Sequence, residues 1–294
     1  MIKAALSLAV LALLAGGTAT CQAKQQCNGH NELCTRTFDQ VAYATTHNAM
    51  SSADDGWTGP NQEHDVPRQL ADGVRALMLD VHYNSTLTNP NLAAPDAPDD
   101  VPLLCHGYCK FGWMTLTDGL AEIDAFLDAN PNEVVTIIFE SYVPAADVRT
   151  SFVDSGLIDH AIEHVPGTPW PTLRQMIASG KRLVVLTDSG GGTYPWYLPV
   201  WSEAYETPFS AKTPDDLTCA RNRGSASNAL FILNHFLTDP VARRTLADQV
   251  NHDPFFTDRA TGCQTERGDL PNFVTVDFYD RGDLPSVVDV LNGV

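Results

Sequence analysis

The chain has 294 residues, with 36 acidic against 18 basic side chains, a formal net charge of −18 and 44% hydrophobic residues. That charge repels polyanions and gives no long-range pull toward anionic lipid, so nucleic acid is excluded as a partner and any membrane contact has to be apolar and local. The length suits one large domain, and a barrel of alternating strands and helices at about 250 residues would nearly fill it.

Met1-Ile2-Lys3 followed by Ala4–Ala15, apolar except for Ser7, reads as an export signal over residues 1–23. The run is shorter than the roughly 20 residues a bilayer-spanning helix needs. The small residues through Ala19 and Ala23 leave the cut site open. Cys21 is the alternative, a lipid-attachment cysteine, although Thr18-Ala19-Thr20 ahead of it fits that signal poorly. Secretion, or a lipid anchor outside the cytoplasm through Cys21, is the expectation. Residues 24–36 then form a short disulfide-bearing segment, and 37–294 the main body.

Apart from Cys21 there are six cysteines, an even number that in an exported chain favours disulfides. Proximity suggests Cys27–Cys34 and Cys105–Cys109, and elimination then leaves Cys219–Cys263. No paired CxxC supports a zinc site. Asn84-Ser85-Thr86 is a glycosylation sequon, meaningful only in a glycosylating host.

Phe38–Thr46 is a weak first strand. Val74–Tyr83 (VRALMLDVHY), Leu103–His106, Val134–Ser141 (VVTIIFES), Arg182–Asp188, Ala229–Phe236 and Phe273–Tyr279 read as stronger ones, and Pro199–Glu206 as a weaker one. Runs as continuously apolar as VVTIIF suit strands buried on both faces, hence parallel strands under helices. Thr117-Asp118 can cap a helix that carries Leu120, Ile123, Phe126 and Leu127 and stops before Pro131. Further helices are expected over Ala145–Ser155, Leu157–His164, Thr172–Ser179 with Gly180 past its end, Asp239–Gln249 and Leu284–Leu291. Asn89–Pro102 reads as an exposed loop. The alternation fits an α/β barrel or an open α/β sheet, and periodicity does not separate them.

In parallel α/β folds the active site gathers at the C-terminal ends of the strands. Here strand after strand ends in a polar group: Thr46-His47-Asn48, then Asp80 and His82, His106-Gly107, Glu140, Asp188, Asn234-His235, and finally Asp277, Tyr279, Asp280 and Arg281. One strand-end Asp is usually a cap or turn former, and one His usually a hydrogen-bonded filler. A set of them in one mouth is harder to assign to filling, because each would need a buried partner. Two His with several carboxylates suit acid–base catalysis on a phosphoester, with or without a hard cation.

ATTHNAM (Ala44–Met50), GVRALMLDVH (Gly73–His82), LLCHGYC (Leu103–Cys109), EVVTIIFESY (Glu133–Tyr142) and PNFVTVDFYDRGD (Pro271–Asp283) together resemble, in order, the X domain of phosphatidylinositol-specific phospholipases C, in its secreted single-domain branch. The resemblance covers roughly residues 35–294 and implies a distorted TIM (β/α)8-like barrel. It implies that an inositol hydroxyl attacks the neighbouring phosphorus, with His47 as base, His106 as acid and Asp277 holding His47. Metal-dependent members of that family hold calcium on residues that match Asn48, Asp80 and Glu140, whereas Met78 replaces a ligand Glu. A thioether is a poor ligand for a hard cation, so the expectation is a weak Ca²⁺ or Mg²⁺ site completed by water. The opposing reading pairs Asp80 and Glu140 with Arg75 or another cation.

Tyr279 is a candidate to stack on the ring, Arg281 and Lys110 to touch phosphate, and Arg75 and His82 to line the substrate site. Thr193–Trp201 and Phe111-Gly112-Trp113 are candidates for transient membrane-surface contact, or else for loop packing. Lysine is confined to Lys3, Lys24, Lys110, Lys181 and Lys212, which argues against a polyphosphorylated headgroup. The expected partner is a phospholipid or inositol phosphodiester, met by a monomer without an organic cofactor. Two alternatives stay open. One is a sphingomyelinase D or glycerophosphodiesterase type of enzyme, and the other is a non-catalytic headgroup-binding barrel, which the substitution at Met78 keeps in play.

Overall fold

A computed structural model describes residues 26–86 and 90–294. The expected export segment over 1–23 and Cys21 lie outside the described residues. The strands are β1 (Tyr43–Thr46), β2 (Ala76–His82), β3 (Leu103–Leu104), β4 (Met114–Thr115), β5 (Val135–Ser141), β6 (Leu183–Thr187), β7 (Tyr197–Pro199), β8 (Ala204–Glu206), β9 (Leu230–Asn234) and β10 (Phe273–Val276). The helices are α1 (Val66–Ala71), α2 (Leu116–Ala129), α3 (Ala145–Asp154), α4 (Leu173–Ser179), α5 (Val200–Glu203), α6 (Arg244–Val250), α7 (Phe255–Arg267) and α8 (Leu284–Asn292).

Eight strands run parallel in the order β7-β6-β5-β2-β1-β10-β9-β8. The end strands β7 and β8 are joined only by α5, a single turn that advances about 6 Å. The sheet therefore curls until its ends meet, giving a distorted TIM-like barrel with one unpaired seam. At that seam the free edge of β8 is covered by a loop: Asn222 N donates to Glu206 O at 2.8 Å, and Glu206 N donates to Arg223 O at 3.1 Å.

Both faces of the sheet are buried, which is why the strands read as unbroken apolar runs. Leu77, Leu79, Ile137, Phe139 and Val185 face outward onto α2 and α3, where Leu116, Leu120, Ile123, Leu127 and Phe152 meet them. Ala76, Ile138, Val184, Leu186, Ile232 and Phe273 fill the lumen with Tyr43, Phe38 and Trp170. Apolar side chains plug the bottom of the barrel, and the charged side chains of the strand ends gather at its top.

Local signals set the helix ends. Thr115 caps α2 by accepting from Asp118 N at 3.1 Å, two residues before the expected start. The C-terminal carbonyls at its other end accept from the buried Arg182, at 2.8 Å for Leu127 and 2.9 Å for Asn130, a cation placed where a helix end is negative. Thr172 and Gln175 form a capping box on α4, and Gly180 closes it at φ 73°. Leu157–His160 is one 3-10 turn rather than a longer helix. Cys27–Cys34, Cys105–Cys109 and Cys219–Cys263 are bonded, as expected. Asn84 is buried and bonds Ala94 in both directions at 2.9 Å, so the sequon is spent on closing its own loop.

Leu103–His106 is not a barrel strand. β3 and β4 form an antiparallel hairpin on the outer end of β2, pairing Val81 with Leu104 and Leu103 with Thr115. The loop joining β3 to β4 carries His106 over the barrel mouth.

Candidate active site

β1 and β10 are register partners through Thr46 and Val276, so the next residue on each, His47 and Asp277, emerge side by side. His47 Nδ1 lies 2.9 Å from Asp277 Oδ1, and Asn61 Nδ2 donates to the same oxygen at 2.9 Å. With Nδ1–H given to the carboxylate, Nε2 is left as the free basic nitrogen. Phe236 stacks flat on the imidazole, centroids 4.0 Å apart at 8°. Asn48 and Phe278, which follow His47 and Asp277, take φ of 47° and 48°. Such left-handed backbone costs a non-glycine residue about 1 kcal/mol and is tolerated where a site requires it.

The second imidazole repeats the arrangement. His106 Nδ1 lies 2.8 Å from Asp80 Oδ2, and the Cys105–Cys109 bond braces its loop. The two rings face each other, centroids 6.4 Å apart and 76° from parallel. Asn48 Nδ2 sits 3.5 Å from His106 Nε2. Partial enclosure works against charge on His106. The hydrogen bond and charge of Asp80, with Asp277 and Glu140 farther off, outweigh it and raise the pKa above the ordinary histidine value.

The rings stand between two recesses of different character. The first is a charged cleft bounded by His47, Asn48, Asp80, Glu140, Asp188, Glu206 and Arg223, with Met78 among its lining residues. Asp80 and Glu140 are register partners on β2 and β5, as are Met78 and Ile138, so the carboxylates stand above the apolar pair. Burial, then the charge of Asp80, raise the pKa of Glu140, while the Tyr142 hydroxyl and Arg223 act against the rise. Asp188 is raised by burial too, opposed by the Ser141 N–H and Arg223. The second recess is an apolar groove lined by Trp57, Tyr108, Phe111, Tyr142, Pro240 and Val241 beside His82 and His106.

A hard cation would find its donors in the first cleft: the Asn48 amide and the carboxylates of Asp80 and Glu140. Each of these two carboxylates binds through one oxygen, to His106 and to the Tyr142 hydroxyl, and the other has no partner among the described residues. Among the described residues no three His, Cys, Asp or Glu side chains converge on one point, so the donors present fit a loosely held ion with water and not a closed cage.

Several expected residues are not brought to this mouth. Arg75 precedes β2 and so lies at the other end of the barrel, bound to Glu133 at 2.8 Å and to the carbonyls of Leu70 and Val74. Tyr279 is buried and donates to Asp72 at 2.9 Å. Arg281 is held by Asp248 at 2.7 and 2.8 Å. Lys110 is exposed on the turn between Tyr108 and Phe111. His82, by contrast, does reach the mouth, in the wall of the apolar groove beside His106, stacked on Tyr142 at 4.3 Å, with burial holding its pKa below the ordinary value.

His235 alternates away from Asn234 and points into the protein. There it donates from Nε2 to Val250 O at 2.8 Å and accepts from Arg259 at 3.1 Å on Nδ1, and burial pushes its pKa down to about 3. Trp196 and Tyr197 are buried, so Thr193–Trp201 packs rather than projects. Asn61, Phe236, Glu206 and Arg223 went unassigned in the sequence. Glu206 ends a strand, a position where polar residues gather at a barrel mouth, whereas Arg223 sits in a loop with no motif.

A barrel whose mouth holds two carboxylate-backed imidazoles defines the class. The comparisons then name the family: the PI-PLC X pattern matches residues 33–292, and the chain belongs to that family. It is 30% identical over 280 residues to PI-PLC X domain-containing protein At5g67130 of Arabidopsis thaliana, covering 87% of this chain and 62% of that protein. It is 28% identical over 296 residues to PI-PLC X domain-containing protein 1 of Arthroderma benhamiae, covering 91% and 90%. A further protein of that fungus, named an uncharacterized secreted protein, is 29% identical over 286 residues, covering 88% of this chain and 61% of its own length. Among solved structures, the phosphatidylinositol-specific phospholipase C of Listeria monocytogenes superposes with a TM-score of 0.58 at 14% identity, covering 89% of this chain and 95% of that one. The F249X mutant of the Staphylococcus aureus enzyme gives 0.55 at 13%, covering 87% and 93%. At these identities the superpositions establish the PI-PLC-type barrel fold.

Proposed function

We propose that the chain is a secreted phosphoric diester hydrolase that cleaves phosphatidylinositol or a related phosphodiester by two-histidine acid–base catalysis. The observation that carries this reading is the pair of imidazoles 6.4 Å apart, each with Nδ1 tied to its own carboxylate. His47 Nε2 takes the proton of a headgroup hydroxyl while that oxygen bonds to the adjacent phosphorus. The bond from phosphorus to the leaving oxygen breaks, and His106 supplies that oxygen's proton. The products are a cyclic phosphodiester and a free alcohol. Water can then open the ring with the two roles reversed.

The polarity of the two recesses supports an orientation. The hydroxyl-bearing headgroup lies in the charged cleft and the leaving alcohol runs along the apolar groove beside His106. Tyr108, Phe111, Tyr142 and Val241 are exposed there and would make the transient contact with a lipid surface. A divalent cation bound weakly by Asn48, Asp80 and Glu140 would offset charge on the non-bridging phosphate oxygens. The three disulfides and the name of the secreted relative support an extracellular setting. Release of cyclic inositol phosphate from phosphatidylinositol by the purified protein tests the reading, with choline and glycerol lipids as a headgroup panel. No release from any of them would refute it.

A further inference from the structure

His82 ends β2, and pairing with Leu103 on the outer hairpin holds its backbone there. Its imidazole lies flat on the Tyr142 ring, centroids 4.3 Å apart at 14°. Tyr142 is held in turn through its hydroxyl, which donates to Glu140. The histidine is only 7% exposed, yet neither ring nitrogen has a hydrogen-bond partner among the described residues. A buried polar side chain left without a partner is costly, and in the wall of a groove it marks where a bound molecule completes the bond.

The two nitrogens differ. Nε2 is sealed inside the protein. Orphaned buried donors are rarer than under-used acceptors, so the proton belongs on Nδ1, the nitrogen left for the groove. Nδ1 is then a donor, fixed in place, with nothing to bond. It donates whether the ring is neutral or charged.

Its surroundings decide the acceptor. Trp57, Tyr108, Phe111, Tyr142 and Val241 make the groove apolar, and His106 stands at its edge. A volume of about 840 Å³ has room for a lipid backbone and the first part of its chains. An anion would be desolvated there, in a chain of net charge −18. A free hydroxyl gains little by leaving water for an apolar wall. An ester carbonyl brings an acceptor with no charge and no proton, set between apolar carbons, whereas an ether oxygen accepts more weakly. We infer that His82 selects the leaving group: its Nδ1–H donates to an ester carbonyl of an acylated alcohol, so esters are preferred over ethers of the same chain length. The inference rests on the phosphodiesterase reading for its place in the reaction, but binding of the released alcohol tests it without turnover.

The kinetic arm uses short-chain phosphatidylinositols below their critical micelle concentrations, so that no lipid surface intervenes. It compares the dihexanoyl ester with its di-O-hexyl analogue. The binding arm titrates the full chain with dihexanoylglycerol and with di-O-hexylglycerol and follows tryptophan fluorescence, to which Trp57 in the groove wall contributes. The parent chain should favour the ester about 10-fold in kcat/KM and in affinity, the worth of one hydrogen bond. His82→Phe, which keeps an aromatic ring on Tyr142 but has no donor, should bring both ratios near one. His82→Asn, whose amide can set an N–H close to the place of Nδ1, should restore part of the preference. A merely structural role would lower ester and ether together and leave the ratios alone. Equal use of ester and ether by the parent chain overturns the inference with no variant needed. So does a preference that survives in folded His82→Phe, or a parent chain that binds neither glycerol. A chain that prefers the acylated glycerol through His82 yet cleaves no diester would instead refute the reaction and leave this inference standing.

Discussion

The imidazole of His106 stands 6.4 Å from that of His47, centroid to centroid, and is turned 76° to it. Each is backed by a carboxylate from a different strand end, Asp80 for one and Asp277 for the other. Two rings held this way can serve as base and acid on opposite sides of one phosphate without competing for the same partner.

Replacing either ring should therefore remove one proton-transfer role and leave the fold. His47→Ala and His106→Ala are each expected to lower turnover of phosphatidylinositol by roughly 10²- to 10⁴-fold. Release of cyclic inositol phosphate measures the loss, and circular dichroism checks folding. Full activity in both variants would rule out the assigned roles.

Asp277 is buried, and its Oδ2 has no partner among the described residues while Oδ1 serves both His47 and Asn61. Asp277→Asn keeps the shape but offers an N–H where His47 needs an acceptor, which favours the wrong tautomer. The expected drop in kcat is roughly 10²- to 10⁴-fold with little change in KM. Asn61→Ala should cost less, because the carboxylate keeps its charge. A variant of Asp277 with parental kcat would show that His47 is oriented by something else.

The pKa of His106 is raised, and an acid works only while protonated, so the alkaline limb of the pH–rate profile should lie above the ordinary histidine value of about 6.5. Asp80→Asn removes the hydrogen bond and the charge that raise it, and the limb should move toward acid. Stability follows the same sign. The stabilisation from this pair is complete below the unfolded pKa and is lost as pH rises through the raised folded value. An alkaline limb that stays in place in Asp80→Asn would assign it to another group.

Chelation tests the cation. EDTA should lower turnover and added Ca²⁺ restore it, with a half-saturating concentration in the range of weak extracellular sites, about 10⁻⁴–10⁻³ M. Glu140→Gln should raise that concentration further. Activity indifferent to EDTA in the parent chain would rule out a required cation.

Phe111 and Val241 are exposed at the apolar groove, 42% and 53%. Phe111→Ser with Val241→Ser should weaken binding to neutral phosphatidylcholine vesicles in a flotation assay while leaving hydrolysis of a soluble diester intact. Added anionic lipid should not strengthen binding by a chain of net charge −18. Equal vesicle binding by the parent and double variant would move the contact elsewhere.

How much of this was legible depends on which residues carried a local signal. Ile137 and Phe139 face helices while Ile138 faces the lumen, so β5 announced itself by being apolar throughout. His47, Asn48, Asp80, Glu140 and Asp277 lie at or just past strand ends, where the chemistry of a parallel barrel gathers. Helix α7 was invisible because Arg259 and Cys263 occupy buried positions that apolar residues would normally mark. Arg75 and Arg281 carry the right charge, but register and ion pairing, neither visible in one chain's letters, placed them against Glu133 and Asp248. Arg223 was missed for the opposite reason: its position comes from a disulfide and a strand edge far apart in sequence.

The loop along β8 has a second consequence. An uncovered strand edge offers a row of unsatisfied amide and carbonyl groups to which another copy can add, the usual start of edge-to-edge aggregation. Asn222 and Arg223 occupy that row on Glu206, and the tether from Cys219 to Cys263 keeps them there. Under reducing conditions the barrel would lose both its grip on Arg223 and the cap on its rim, so soluble yield in an oxidising compartment should exceed that in a reducing one.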